Sequence, residues 1–187
     1  EPACDAVLTF KDAALAVYID DVIGAGPDEQ LEELWSRVRK HYKFGEPEDA
    51  KVFLGIQVSH SEDQKTGESK LMISMDAYTD DIVQQYVKEE GPLQSKNNPI
   101  NEDIRPKHTM KKVELDPVRK RKIQTRLGQL LWLMRCARPD LGYAICSMAT
   151  RITTWDKECD ETMKQVFAYI KTHKYGIVMR KERITQQ

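Results

Sequence analysis

The sequence predicts an α+β fold, an antiparallel sheet carrying a helix followed by a helical bundle, and three observations predict it. Short runs of Val, Leu, Ile and Tyr broken by turn residues fill the first quarter of the chain. A helical repeat follows Pro27, and a second, longer helical region follows Asp116. A β-α-β-β arrangement in the first half, followed by a second half that is mostly helical, points to α+β.

Ala6 to Phe10 and Ala14 to Ile19 read as strands separated by Lys11-Asp12, and Val22-Ile23 resumes after Asp20-Asp21. Two apolar runs joined by aspartates read as a β-hairpin, because Asp suits turn positions. Leu31, Leu34, Trp35, Val38 and Tyr42 then recur at helical spacing, with Asp28 and Glu29 at the end that the helix dipole favours for acids. Trp35 belongs to that apolar face. Val52 to Val58 and Lys70 to Met75 read as two further strands around a polar loop with Thr66-Gly67. Tyr78, Ile82, Val83 and Tyr86 mark a short helix with Asp76 as its N-cap. Asn98-Pro99 and Arg105-Pro106 interrupt a long basic loop, and Asp116-Pro117 starts a helix in the favoured way, cap then proline. Helices are expected over about 117–136, 140–153 and 156–174, with Trp155 packed at a helix start and a last strand over 176–179. The boundaries read as 1–76, sheet and helix; 77–153, helical with the basic loop; and 154–187, helix and strand.

Apolar residues make up 40% of the chain and charged residues 32%, enough for a core. The apolar runs are far shorter than the roughly 20 residues that span a bilayer, so no membrane partner is expected. No signal-peptide pattern opens the chain. Cys4, Cys136, Cys146 and Cys159, with His41, His60, His108 and His173, lack zinc-site spacing and read as reduced thiols and, at His108 and His173, solvated surface. The net charge of −1 conceals segregation: Glu46 to Glu90 holds 11 acidic residues against 4 basic, and Arg105 to Arg126 holds 9 basic against 2 acidic. That second segment suits either a nucleic-acid backbone or a solvated linker.

Paired carboxylates at a hairpin turn suit Mg²⁺, which takes one or two carboxylates plus substrate phosphates. An ordinary Asp-Asp turn is the plain alternative. On the helix from Pro117, Ile123, Leu127, Leu130, Leu131 and Met134 form one stripe, and Arg121, Thr125, Gly128, Trp132 and Arg135 fall opposite it. A tryptophan and a glycine opposite the core stripe suit either packing on a neighbouring subdomain or a nucleic-acid backbone. In the second case Arg121 and Arg135 meet phosphates, with Arg119-Lys120-Arg121-Lys122 adding sequence-independent attraction.

Ala16-Val17-Tyr18-Ile19-Asp20-Asp21-Val22-Ile23-Gly24 resembles the Tyr-X-Asp-Asp motif of reverse transcriptases, in the form used by copia-type LTR retrotransposons. Further blocks resemble that family in its order: Phe53-Leu54-Gly55-Ile56; Arg126-Leu127-Gly128-Gln129-Leu130-Leu131-Trp132-Leu133 with Arg138-Pro139-Asp140-Leu141; and Val166-Phe167-Ala168-Tyr169-Ile170-Lys171 with Tyr175-Gly176. Gly128-X-X-X-Trp132 is similar to the thumb helix of retroviral polymerases.

The resemblance implies a partial reverse-transcriptase palm, then a thumb-like helical subdomain, then a lead toward a connection and ribonuclease H region. It implies that Asp20 and Asp21 hold Mg²⁺ or Mn²⁺ and that Tyr18 lies under the primer end or the incoming nucleotide. Phe53, Leu54 and Gly55 would hold the primer strand, and Lys120, Arg121, Gly128, Trp132 and Arg135 would meet the duplex. The implied partners are an RNA–DNA or DNA template–primer, a dNTP in the complete enzyme, and an upstream palm and fingers segment or partner chain. The implied place is an intracellular particle in the cytoplasm, or the nucleus. The family's first catalytic aspartate is expected upstream, since Asp5 and Asp12 lack its surroundings, so this chain alone is expected not to polymerise. The alternative function is a non-catalytic nucleic-acid-binding or interaction module derived from such an element.

Overall fold

The computed structural model describes residues 7–43, 45–62, 68–100 and 113–181. Within these the protein is α+β, with antiparallel sheets and five α-helices. No described helix is long and apolar enough to cross a membrane. Cys4, Asp5, His108, the Thr66-Gly67 loop and the basic stretch Arg105 to Lys112 lie outside the described residues. The chain divides into two compact units, Glu1–Leu54 and Gly55–Gln187.

In the first unit β1 (Val7–Phe10), β2 (Ala13–Tyr18) and β3 (Asp21–Ala25) form an antiparallel sheet in that order. Both hairpins have two-residue loops, since Phe10 pairs with Ala13 and Tyr18 with Asp21. Helix α1 (Asp28–Arg39) lays Leu34, with Leu31, Trp35 and Val38, on Ala13 and Leu15. Trp35 is on the apolar face, as expected. Tyr42 lies beyond the helix and is exposed. The β1–β2 tip is fastened to α1: Asp12 N–H donates to Gln30 Oε1 at 2.8 Å, and Arg37 stacks on Phe10 at 4.2 Å.

The expected strand Val52 to Val58 is broken. Two residues, β4 (Val52–Phe53), precede a turn, and the pairing strand is β5 (Ile56–Glu62). Leu54 and Gly55 both have positive φ, 53° and 77°, the signs of a type I′ hairpin turn.

In the second unit β5, β6 (Ser69–Ser74) and β7 (Ile177–Lys181) pair antiparallel in that order. Helix α2 is longer than expected, Asp76–Glu90, and Asp76 is its first residue rather than its cap. Its N–H goes instead to Gln57 Oε1 at 3.2 Å. Helix α3 (Pro117–Cys136) has the expected limits, and the Asp116 side chain caps Arg119 N–H at 3.0 Å. A 3₁₀ turn, Pro139–Leu141, leads into α4 (Gly142–Thr150), and α5 (Lys157–Thr172) starts at an Asp156 cap. These helices share one core, from Met75 and Tyr86 through Leu130, Leu133, Ile145 and Trp155 to Phe167 and Ile170. Trp155 is buried at the start of α5, where its indole N–H donates to Asp160 at 2.8 Å.

Candidate metal-binding turn and nucleic-acid face

Strand alternation sorts the first sheet into two faces. Ala13, Leu15 and Val17 point toward α1, and Val22, paired with Val17, packs there too. Ala14, Ala16 and Tyr18 therefore occupy the other face, with Ile23 and Asp21 opposite Ala16 and Tyr18 in register. That face, opposite the one on which α1 packs, carries Ala14, Ala16 and Ile23 along its length and Tyr18 and Asp21 at one end. Asp20 is not on a strand but in the loop, so the two carboxylates leave the hairpin from a tip and from an adjoining strand end. Both are exposed, and neither has a hydrogen-bond or ion-pair partner among the described residues.

The other loop residue is Ile19, 82% exposed with φ of 53°. Positive φ is uncommon for any L-residue and a true outlier for a β-branched one. An apolar, branched side chain is thus held out in water on a strained backbone, directly before two unpartnered carboxylates. Strain of this kind clusters at functional sites. Exposed carboxylates are hard oxygen donors, the type that Mg²⁺ and Mn²⁺ take together with phosphates. No cluster of three or more potential ligands occurs among the described residues.

Phe53, Leu54 and Gly55 sit on the tight turn already described, Phe53 and Leu54 half-buried and Gly55 exposed.

In the second unit α3 divides as its periodicity predicts, with one adjustment. Ile123, Leu127, Leu130 and Leu133 are buried, and Leu131 and Met134 are only partly so. Arg121, Thr125, Gly128, Trp132 and Arg135 are all exposed along one strip. Trp132 is 39% exposed, and a Cβ built on Gly128 would meet nothing within 4 Å among the described residues. Gly128 therefore does not serve a close crossing with a described helix; its bare backbone faces open space.

The basic run on α3 is divided by ion pairs that the sequence did not reveal. Arg119 pairs with Asp160 of α5. Lys122 and Arg126 each bridge Glu89 and Glu90 at the end of α2, at 2.6–2.9 Å. Hydrogen bonds from Lys122 and then Arg126 hold both glutamates below the usual carboxylate range, and those glutamates in turn raise Lys122. Arg126 also lies 4.6 Å over the Tyr86 ring, which stacks on Phe167 at 4.1 Å. Burial pushes the Tyr86 hydroxyl up to about 12. Half of Arg119-Lys120-Arg121-Lys122 is thus committed to packing the helices, which corrects the expectation that all four attract a ligand. Lys120, Arg121 and Arg135 have no ion-pair partner among the described residues.

A second cluster went unrecognised in the sequence. Arg138, 2% exposed, forms a bidentate pair with Asp140 at 2.8–2.9 Å and donates to the His173 carbonyl at 2.7 Å. Tyr169 donates its hydroxyl to Asp140 at 3.2 Å, and its ring stacks on His173. Burial works against the Asp140 carboxylate, but the Arg138 guanidinium and the Tyr169 hydroxyl hold it below its ordinary range. His173 is half-buried in this stack rather than solvated. The available signal was that Arg138-Pro139-Asp140 and Tyr169 fall in two different blocks of the family resemblance, and here they form one lock between the end of α3 and the end of α5.

No family model and no solved structure matches the chain.

Proposed function

We propose that this chain is the later palm and the thumb of an RNA-directed DNA polymerase of the copia retrotransposon type, binding a template–primer and contributing two carboxylates to nucleotidyl transfer. The observation that carries the reading is the hairpin tip: Tyr18 and Asp21 on the sheet face away from α1, Asp20 beside them, and Ile19 strained and exposed between. Lys11 takes the same φ of 53° in the β1–β2 hairpin of equal loop length, so what distinguishes this tip is that its residue there is β-branched and apolar, for which such a φ is an outlier, and that two carboxylates follow it.

In this reading Asp20 and Asp21 hold Mg²⁺ or Mn²⁺ together with substrate phosphates and a carboxylate from the rest of the palm. The bound ion supplies charge neutralisation for the attacking and leaving oxygens. The chain's own contributions are positional. Tyr18 offers a ring, 56% exposed, against the primer end. Ala14 and Ala16 leave the sheet face low enough for a nucleic-acid backbone to lie along it. The Phe53-Leu54-Gly55 turn presents a main-chain bend to the primer strand. On α3, Trp132 gives a flat surface to sugars, Gly128 a bare backbone, and Lys120, Arg121 and Arg135 contact phosphates.

Two measurements test this. In primer extension on a homopolymer template, the 187-residue chain by itself is expected to give no Mg²⁺-dependent synthesis, and robust synthesis would sink the claim that its metal site is half complete. In binding to an RNA–DNA hybrid, Trp132→Ala is expected to weaken affinity by about tenfold or more, the scale of one lost stacking contact. An unchanged, salt-sensitive affinity counts against the thumb reading.

A further inference from the structure

Thr125 is the only hydroxyl-bearing residue in α3, and it stands on the exposed strip between Arg121 and Gly128. Its Oγ1 lies 3.0 Å from the Arg121 carbonyl oxygen. A carbonyl only accepts, so the single Thr125 proton is committed to the helix backbone. What the side chain turns outward is lone pairs: in this rotamer Thr125 is an acceptor and not a donor. Three positions on, Gly128 leaves open space where a side chain would stand. One turn back, Arg121 is a cation without an ion-pair partner among the described residues. Arg121 and Thr125 both rim a cleft of about 450 Å³ between α2 and α3, where Gln85 and Gln129 bond to each other at 3.1 Å.

A committed acceptor beside a free cation suits a ligand that offers a neutral donor next to an anion. A ribonucleotide strand repeats that pair at every residue: the 2′-hydroxyl is a donor and the neighbouring phosphate an anion. A deoxyribonucleotide strand has the phosphate and no donor.

We propose that Thr125 reads the ribose 2′-hydroxyl of an RNA strand in the bound duplex, with Arg121 on the adjacent phosphate, and so sets a preference of this face for RNA-containing duplexes. The inference rests on the template–primer reading above and adds to it the identity of the strand and the atom that tells it apart.

The test compares three duplexes of one sequence bound to the full chain: an RNA–DNA hybrid, the same hybrid with 2′-fluoro in place of each RNA hydroxyl, and the all-DNA duplex. The fluoro strand keeps the RNA-like sugar pucker and removes the donor. Wild type is expected to bind the hybrid about three- to tenfold tighter than its fluoro counterpart, the worth of one net hydrogen bond. Thr125→Val keeps the shape and removes the acceptor, and is expected to bind the two equally, while Thr125→Ser restores the difference. Circular dichroism of both variants checks that the helix is intact. Equal wild-type binding to hybrid and fluoro hybrid, or a preference that survives in Thr125→Val, overturns the assignment and leaves the template–primer reading standing. Failure to bind any of the three duplexes overturns both.

Discussion

Ile19 occupies backbone space that costs an L-residue roughly 1–2 kcal/mol, and its side chain gains nothing by burial because it is 82% exposed. Glycine visits positive φ freely but loses more chain entropy on folding, by roughly 0.5–1 kcal/mol. Ile19→Gly is therefore expected to stabilise the chain by about 0.5–1 kcal/mol in urea denaturation. If the strain serves to hold the two carboxylates, the same change lowers synthesis by the completed enzyme, and a variant both more stable and fully active would show the strain to be incidental. Asp140 makes a second prediction at this scale. Its folded-state carboxyl titrates below the unfolded value near 3.9, so its contribution to stability is present above that value and is lost as pH falls through the folded one. Asp140→Asn leaves the Arg138 guanidinium buried without its counter-charge. It is expected to cost about 2–3 kcal/mol at pH 7 and to flatten the fall in stability below pH 4. A variant that unfolds with the wild-type midpoint at both pH values would remove Asp140 from the account.

At the scale of the element, α3 does two jobs on two faces, and they can be separated. The added methyl in Gly128→Ala meets nothing among the described residues. The substitution is expected to stabilise the helix by up to about 1 kcal/mol through propensity alone. A nucleic-acid backbone lying against the bare glycine is pushed away by the same methyl. Rising stability with falling duplex affinity is the expected pair of results, and a rise in both would place the ligand elsewhere. The faces of α3 were legible in the sequence because a period of 3.6 needs only local information. Which of its cations are free was not legible. Arg119, Lys122 and Arg126 are taken up by Asp160, Glu89 and Glu90, residues 32 to 41 positions away whose proximity only the packed bundle creates. The break between β4 and β5 was hidden for a different reason. Its turn begins with Leu54, a residue type that gives no turn signal, so Val52 to Val58 reads as one apolar strand. The hairpin of Tyr18 to Asp21 was legible as a turn, but not that Asp20 stays in the loop while Asp21 begins a strand.

At the scale of the whole molecule the two units differ sharply in how much core each possesses. Among the described residues the first buries three apolar side chains, Ala13, Leu15 and Leu34, with five partly buried neighbours. Among its described residues the second buries twenty-two in one cluster. Burial of a large apolar side chain contributes roughly 1.5–3 kcal/mol, and the conformational entropy of a unit grows with its length whatever its core. The first unit thus has far less to set against its ordering cost per residue, and its sheet carries a face that its own helix α1 does not cover. Opening free energies within one protein range from near zero up to the global value, in cooperative units. Native-state hydrogen exchange is accordingly expected to divide the chain near Leu54. Amides of β1, β2, β3 and α1 should exchange at least about a hundredfold faster than those of α3 and α5, whose protection approaches the global limit. A single cooperative unit, with equal protection in β2 and α5, would overturn this reading of the cores. The functional consequence follows the same accounting of surface. If the sheet face away from α1 is where a template–primer lies, a bound duplex covers Ala14, Ala16 and Ile23 and slows exchange in β2 and β3 selectively, and protection confined to α3 would locate the duplex on the second unit alone.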